Sequence, residues 1–246
     1  LNEYRSEEEG FRGESFPPIV AYGEHGAVIH YRVSEESALT IRQEGLLLID
    51  SGAHFIDGTT DITRVFALGE ANGVEQEDFT VVLKGHIALA TARFEHGTTG
   101  HQLDVIARQP FWQYGRNYGH GTGHGVGHYL NVHEGPHKVS YRPFRVQLEE
   151  GMIFSNEPGL YREGKYGIRI ENLLVVEKAE KTDFGNFHRL ETLSLFPIDR
   201  RLIKVDMLRD EERAWLNQYH KMVYNKLAPG LSPEEGEWLR EKTAYI

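Results

Sequence analysis

Short apolar runs broken by glycine alternate along this chain with stretches of helical spacing. Ile19 to Tyr22 and Ala27 to Tyr31 read as strands, with Gly23 and Gly26 punctuating the turn between them. Leu46 to Asp50 and Asp61 to Leu68 read as a second strand pair, separated by the turn-rich Ser51-Gly52 and Asp57-Gly58. Between Glu75 and Phe94 the spacing turns helical, with Phe79, Leu83, Ile87 and Phe94 on one face. A second helix is predicted to start near Gly100 and to stop before Pro110, which cannot donate a helix hydrogen bond. Met152 to Asn156 and Gly167 to Val176 read as further strands. Trp215, Tyr219, Met222 and Val223 mark another helix, and Ser232-Pro233-Glu234-Glu235 forms a capping box that opens a terminal one. Strands and helices mix without strict alternation, which predicts an α+β fold.

The segment from Gly119 to His128 carries a glycine at every second position. At about 1 kcal/mol for each glycine a helix is disfavoured. An extended segment is expected instead, and its period of two aligns His120, His124 and His128.

With 246 residues the chain fits one large domain or two small ones and can bury a sizeable core. A formal net charge of −10 argues against a nucleic-acid partner, whose phosphates need a basic surface. Cysteine is absent, which excludes disulfides and thiolate metal sites and permits a cytoplasmic location. No apolar run approaches the roughly 20 residues that span a bilayer, so no membrane partner is expected. The first residue is Leu1 rather than Met, from which a longer parent protein is expected. The polar stretch to Pro18 reads as the end of a helix or a linker entering the domain.

The chemistry lies in two predicted strand pairs, each bringing two acids into apolar surroundings. Asp50 follows Leu47-Leu48-Ile49, and Asp61 precedes Ile62. Glu157 follows Phe154-Ser155-Asn156, and Glu171 follows Ile168-Arg169-Ile170. A buried, unpaired carboxylate costs several kcal/mol or becomes protonated. Arg169 supplies a single charge, whereas two divalent cations would balance all four acids. Taken alone, each acid is more simply a turn or cap residue. A tight turn on Asp57-Gly58 would place His54, not Asp50, opposite Asp61, so a shared metal requires a wider loop or a bulge.

Ile49-Asp50-Ser51-Gly52-Ala53, followed by Asp57 to Arg64, resembles the first metal hairpin of the aminopeptidase P family. His120 to Gly127 and Asn131-Val132-His133-Glu134-Gly135-Pro136 resemble its histidine segments. Glu157-Pro158-Gly159 and Gly167 to Asn172 resemble its second hairpin. The likeness runs in order from about Phe16 to Val176, and the tail is compatible with it.

The resemblance implies a pita-bread fold, two pseudo-symmetric halves around a dinuclear metal site. Residues 1–16 would be an entry segment, the end of a truncated N-terminal part, and residues 17–246 the catalytic domain with a helical tail. Asp50 would bind one metal and His124 the other, while Asp61 and Glu171 would bridge both. Glu157 would ligate the His124-side metal and move protons to and from the reacting groups. His30 and His133 would hydrogen-bond the reacting peptide, and His120 would handle protons or support a ligand. Arg169 and Phe16 would lie near a proline ring. The implied reaction releases the first residue of peptides with proline second, through a metal-bridging hydroxide. Four carboxylates and an imidazole form a hard donor set suited to Mn²⁺, with Zn²⁺ or Co²⁺ as alternatives. Family members also imply a homodimer. His54, His128 and His137 read as surface or structural residues.

Rival readings are a prolidase or methionine aminopeptidase on the same fold, and a metal-free creatinase-like hydrolase. A non-catalytic peptide-binding module belongs to a different class, but the intact set of five ligands argues against it. A histidine-rich metal binder would leave the four acids unexplained.

Overall fold

The computed structural model describes residues 1–246. The N-terminal half contains α1 (Asn2–Ser6), β1 (Phe11–Glu14), β2 (Ile19–Tyr22), β3 (Leu46–Ser51), β4 (Ala53–Phe55), β5 (Gly58–Thr59) and β6 (Ile62–Ala67). Two helices follow, α2 (Gly73–Ala90) and α3 (Gly100–Gln113), with the short β7 (Phe94–Glu95) between them. The second half holds β8 (Gly123–His124), β9 (Lys138–Val139), β10 (Ile153–Asn156), β11 (Gly159–Arg162), β12 (Tyr166–Arg169), β13 (Asn172–Thr182) and β14 (Gly185–Thr192). The chain ends in α4 (Asp210–Leu227) and α5 (Pro233–Lys242). The sheets run in the orders β2-β3-β6, β1-β4-β5, β10-β13-β14-β7, β11-β12 and β8-β9. This is the expected α+β architecture.

Helix α2 sits at the centre. Asn72 caps it, accepting from the Val74 and Glu75 N–H groups while Glu75 reaches back. From Asp78 to Leu89 all but one of its side chains are buried, so it is a core helix rather than one with a single apolar stripe. Phe79, Leu83 and Ile87 join the larger core with β2, β3, β6 and α4, and Leu89 and Ala90 join a second core with α3, β10 and β13. The buried pair Lys84–Glu212, at 2.6 Å, ties α4 to α2.

Four expectations for the elements need correction. Ala27 to Tyr31 is not a strand: Gly23–Ala27 form a 3₁₀ turn, and Val28 and Tyr31 donate to carbonyls three residues back. A Cβ on Gly26 would lie 2.7 Å from the Gly167 nitrogen, so this turn is pressed against β12 where only glycine fits. Helix α2 ends before Phe94, which instead enters β7 and pairs with His188. Helix α3 passes through Pro110 to Gln113; the proline forfeits one hydrogen bond, and the fully buried Phe111 anchors the last turn. The predicted strand Gly167 to Val176 breaks at Ile170 and Glu171, with β12 on one side and β13 on the other.

The first hairpin has a single register. Asp50 pairs with Thr63 and Ser51 with Ile62, and beyond the break His54 pairs with Thr59 and Phe55 with Gly58. The reversal falls on Ile56-Asp57, one residue earlier than the sequence suggests. Asp61 therefore faces Gly52, two residues from Asp50 on the same side of the ribbon. No wider loop or bulge is needed. The second hairpin is built alike: Asn156 pairs with Asn172 and, past the break, Gly159 pairs with Arg169. Glu157 and Glu171 stand opposite each other within that break.

Residues 1–16 hold α1 and β1. Phe11 pairs with Phe55 and Glu14 with Ala53, and the Arg5 guanidinium donates to the Gly52 carbonyl and the Ser51 hydroxyl. The entry segment thus packs on the outer edge of the first hairpin.

Candidate metal centre

All ten residues singled out in the sequence line one cavity of about 400 Å³. The two hairpin breaks supply its floor. There Asp50, Asp61 and Glu171 are 8%, 4% and 2% exposed. The segment β8 brings His124 across the floor, because Gly123 passes so close to β10 that a Cβ would sit 1.7 Å from the Ser155 carbonyl oxygen. That approach lets the His124 N–H donate to Ser155 Oγ at 3.0 Å, and the same hydroxyl donates to Glu157 Oε1 at 3.1 Å.

The His124 tautomer follows from its partners. Its Nδ1 lies 3.0 Å from the Gly125 carbonyl, which can only accept, so Nδ1 carries the proton. The Nε2 lone pair then faces Asp61 Oδ2 and Glu157 Oε1, each 3.4 Å away. Three acceptors converge with no donor between them. Ligand atoms of Asp61, His124 and Glu171 all lie within 4.8 Å of one another, and Asp50 Oδ1 and Asp61 Oδ1 are buried without a hydrogen-bond partner.

The electrostatics agree. Burial, then the charges of Asp50 and Glu157, hold the Asp61 carboxyl well above the usual carboxylate range. Burial, then Asp61 and Asp50, do the same to Glu171. Asp50 is raised by burial too, although Arg169 Nη2 donates to its Oδ2 at 2.7 Å and partly counters the shift. One guanidinium cannot compensate these acids, and divalent cations fit both the donor set and the orphaned oxygens.

The remaining predicted residues divide into two groups. Arg169 is 2% exposed, and its guanidinium also donates to Thr63 Oγ1 and the Tyr161 hydroxyl, so it holds Asp50 from beneath. His120 donates from Nδ1 to the Gly121 carbonyl at 2.7 Å, leaving Nε2 to accept from the Tyr161 hydroxyl at 2.9 Å. Both of its nitrogens are thus engaged by the protein. Burial lowers the pKa of His120. His30 and His133, by contrast, are exposed on the cavity wall, and the His133 ring stands 3.9 Å from that of His124. Burial, then His124, lowers the pKa of His133. Phe16 lies with Pro17 and Ile29 on the apolar part of the wall.

The period-two alignment of three histidines fails at His128. The chain reverses there, with Gly127 N–H donating to the Asn131 carbonyl and Tyr129 at φ 52°, and His128 is exposed outside the cavity. His137 donates to or accepts no ligand group and instead binds the Ile153 carbonyl at 2.7 Å, while His54 contacts Thr59 Oγ1. Three supporting residues escaped the sequence reading: Thr63, whose hydroxyl donates to Glu171 Oε2 at 2.6 Å, Ser155 and Tyr161. Thr63 and Ser155 lie two residues from Asp61 and Glu157 respectively on the same strand face, a signal that was present in the alternation.

A model of metallopeptidase family M24 matches residues 1–178, and one of the C-terminal region of peptidase M24 matches residues 186–246. Aminopeptidase P1 of Arabidopsis thaliana is 47% identical over the whole chain, which covers 39% of that protein. A probable Xaa-Pro aminopeptidase P of Coprinopsis cinerea is 44% identical, with 41% of its length covered. The chain therefore spans about two fifths of these relatives. The crystal structure of an X-prolyl aminopeptidase from Caenorhabditis elegans, described as a cytosolic enzyme with a di-nuclear active site, superposes with a TM-score of 0.95 at 39% identity. It covers all of this chain and 41% of that one. Prolidase from Pyrococcus furiosus superposes with a TM-score of 0.63 at 31% identity, over 76% of this chain and 52% of that one. The pita-bread fold expected from the sequence is the fold observed.

Proposed function

We propose a function from one premise: the chain belongs to metallopeptidase family M24. Its reaction, on this reading, is release of the first residue from peptides that carry proline second. The observation that carries the reading is the bare His124 Nε2 facing two carboxylate oxygens at 3.4 Å. Such a cluster of acceptors is stable with cations among them.

Asp50, Asp61, His124, Glu157 and Glu171 would hold two divalent metal ions, and the hard donor set supports Mn²⁺. When bound, the ions supply Lewis acidity that activates water and stabilises developing negative charge. Glu157 is the most exposed of the acidic ligands, and Ser155 steadies it, so it can take a proton from water and hand it to the leaving nitrogen. His30 and His133 line the cavity and would orient the peptide. Phe16, Pro17 and Ile29 offer an apolar wall against which a proline ring packs. His120 is assigned a positioning role, since Tyr161 occupies the nitrogen that would otherwise move a proton. Arg169 fixes Asp50 and shapes the floor beneath the proline.

The proposal includes a homodimer and a cytosolic location. No helix is long and apolar enough to cross a membrane.

The test is metal analysis of the purified chain together with hydrolysis of Xaa-Pro-Xaa peptides and Xaa-Pro dipeptides, for the wild type and Glu157→Ala. Two ions per chain, preference for the longer peptides and a large loss of turnover in the variant are expected. Preference for dipeptides would make the protein a prolidase, and an inert, metal-free wild type would defeat the metallopeptidase reading.

A further inference from the structure

Behind the sheet that carries Glu157 and Glu171 lies a buried polar contact that no step above uses. Asn156 and Asn172 form the last rung of the β10–β13 ladder before the two glutamates. Side chains alternate across a strand, so the asparagines point away from the cavity while the glutamates point into it. His86 of α2 meets both asparagines. Its Nδ1 is 3.1 Å from the Asn156 carbonyl, its Nε2 is 3.2 Å from Asn172 Nδ2, and its own carbonyl accepts from Asn156 Nδ2 at 2.9 Å. All three residues have no exposed surface.

The direction of every bond is fixed by Arg64. This buried guanidinium donates to Asn172 Oδ1 at 2.7 Å, which turns the Asn172 amide nitrogen toward His86. An amide nitrogen only donates, so His86 Nε2 accepts and Nδ1–H donates to the Asn156 carbonyl. Arg64 also donates to the Glu171 carbonyl at 2.6 Å and to the Tyr219 hydroxyl at 2.8 Å. The outer side of His86 is covered by Trp215, ring centroids 5.9 Å apart.

The clamp matters because the ladder stops just past it. The Glu157 N–H goes to the Thr122 carbonyl and the Glu171 N–H to the Thr63 carbonyl, so the two glutamates exchange no backbone bond, and their spacing depends on the rungs that flank them, Asn156–Asn172 on one side and Gly159–Arg169 on the other. His86 bridges the first of these rungs from behind.

We propose that His86 is a positioning residue which, by bridging Asn156 and Asn172, sets the separation of Glu157 and Glu171 for metal binding. The inference rests on the metallopeptidase reading. In the neutral form held by Arg64 and Asn172, the imidazole satisfies one acceptor and one donor at once. A phenylalanine keeps the ring volume against Trp215 and provides neither.

The test uses the whole chain, titrated calorimetrically with MnCl₂ alone, with thermal melting and Xaa-Pro-Xaa kinetics in parallel. His86→Phe is expected to weaken Mn²⁺ binding by about ten-fold or more, and to lower kcat while leaving KM for the peptide near its wild-type value. His86→Asn retains the donor to the Asn156 carbonyl and is expected to fall between the two; it also serves should the Phe variant fail to fold. Wild-type Mn²⁺ affinity in the folded variants, with only the melting temperature lowered, would show a purely structural residue and overturn the proposal. A wild-type chain that binds no Mn²⁺ would instead overturn the metallopeptidase reading, and this inference with it.

Discussion

Glu157 and Glu171 face each other across a hairpin without sharing a rung of its ladder. Each backbone N–H leaves the hairpin, one to Thr122 and the other to Thr63. The break frees the two side chains to converge with Asp61 and His124, and it also stitches the second hairpin to the first and to the histidine segment. The candidate metal centre is thus a junction of three chain segments whose backbones bond to one another at Glu157 and Glu171 themselves.

Among the acids proposed as ligands Glu157 has the most solvent access, its side chain 18% exposed against 5% for Asp61 and 11% for Asp50. Glu157→Gln keeps its shape and its contact with Ser155 but removes the base. Turnover of an Xaa-Pro-Xaa peptide should fall by roughly 10²–10⁴-fold, with an unchanged far-ultraviolet circular dichroism spectrum. A loss of less than about ten-fold would assign proton transfer to another group.

Metal removal should be visible as lost stability. The acids on the floor have one buried guanidinium among them, so chelation leaves carboxylates that must take up protons or repel. Adding Mn²⁺ at about a hundred times its Kd should stabilise the chelated chain by about 2.7 kcal/mol, read as a rise in melting temperature. Glu171→Gln should cut that rise sharply. An equal rise in both proteins would mean that Mn²⁺ binds elsewhere.

Gly123→Ala tests the approach of β8 to β10. The added methyl would meet the Ser155 carbonyl oxygen at 1.7 Å, a backbone atom that cannot swing aside. The histidine segment must move, carrying His124 off the centre. Mn²⁺ binding should weaken at least as much as for His124→Ala, whereas Gly119→Ala, with open space at its Cβ, should bind normally.

Acid sensitivity should come in part from two buried histidines. Burial, then Arg64, pushes His86 down to about 3, and burial, then Arg200 and Arg64, pushes His220 down to about 4. Both titrate near 6.5 when unfolded. Between the folded and unfolded values the unfolded chain binds more protons, so stability rises with pH through that window and levels off above about pH 7. Each histidine adds about 1.4 kcal/mol per pH unit inside its window. The urea midpoint of the metal-free chain, followed from about pH 5 to about pH 7, should climb less steeply in His86→Phe. An equal slope would show that His86 already carries a proton in the folded state.

Much of the candidate site was legible because a metal site needs particular residue types, and those types stood out against apolar strands. Asp50, Asp61, His124, Glu157 and Glu171, proposed as ligands from local pattern and family likeness together, are brought to one cavity. What the pattern missed was decided by packing at a distance. Helix α3 continues through Pro110 because Phe111 is buried beneath it, and Ala27 to Tyr31 coils because Gly26 abuts Gly167, far away in sequence. His86 looked like one more helix residue; its role appears only once Asn156 and Asn172 are side by side. The alignment of His128 with His124 failed for a local reason, the reversal at Tyr129, that no glycine count reveals.

The unbroken register of the two hairpins works like a reading frame. Residues added at the outer reversals, around Ile56-Asp57 or Glu163 to Lys165, lengthen a tip and leave the ladder inside it in phase. One residue inserted between Asp50 and Ala53, or between Asn156 and Gly159, would rotate a carboxylate from the cavity into the core. Homologous sequences should accordingly vary in length at those tips and hold the spacing on the inner side of each fixed.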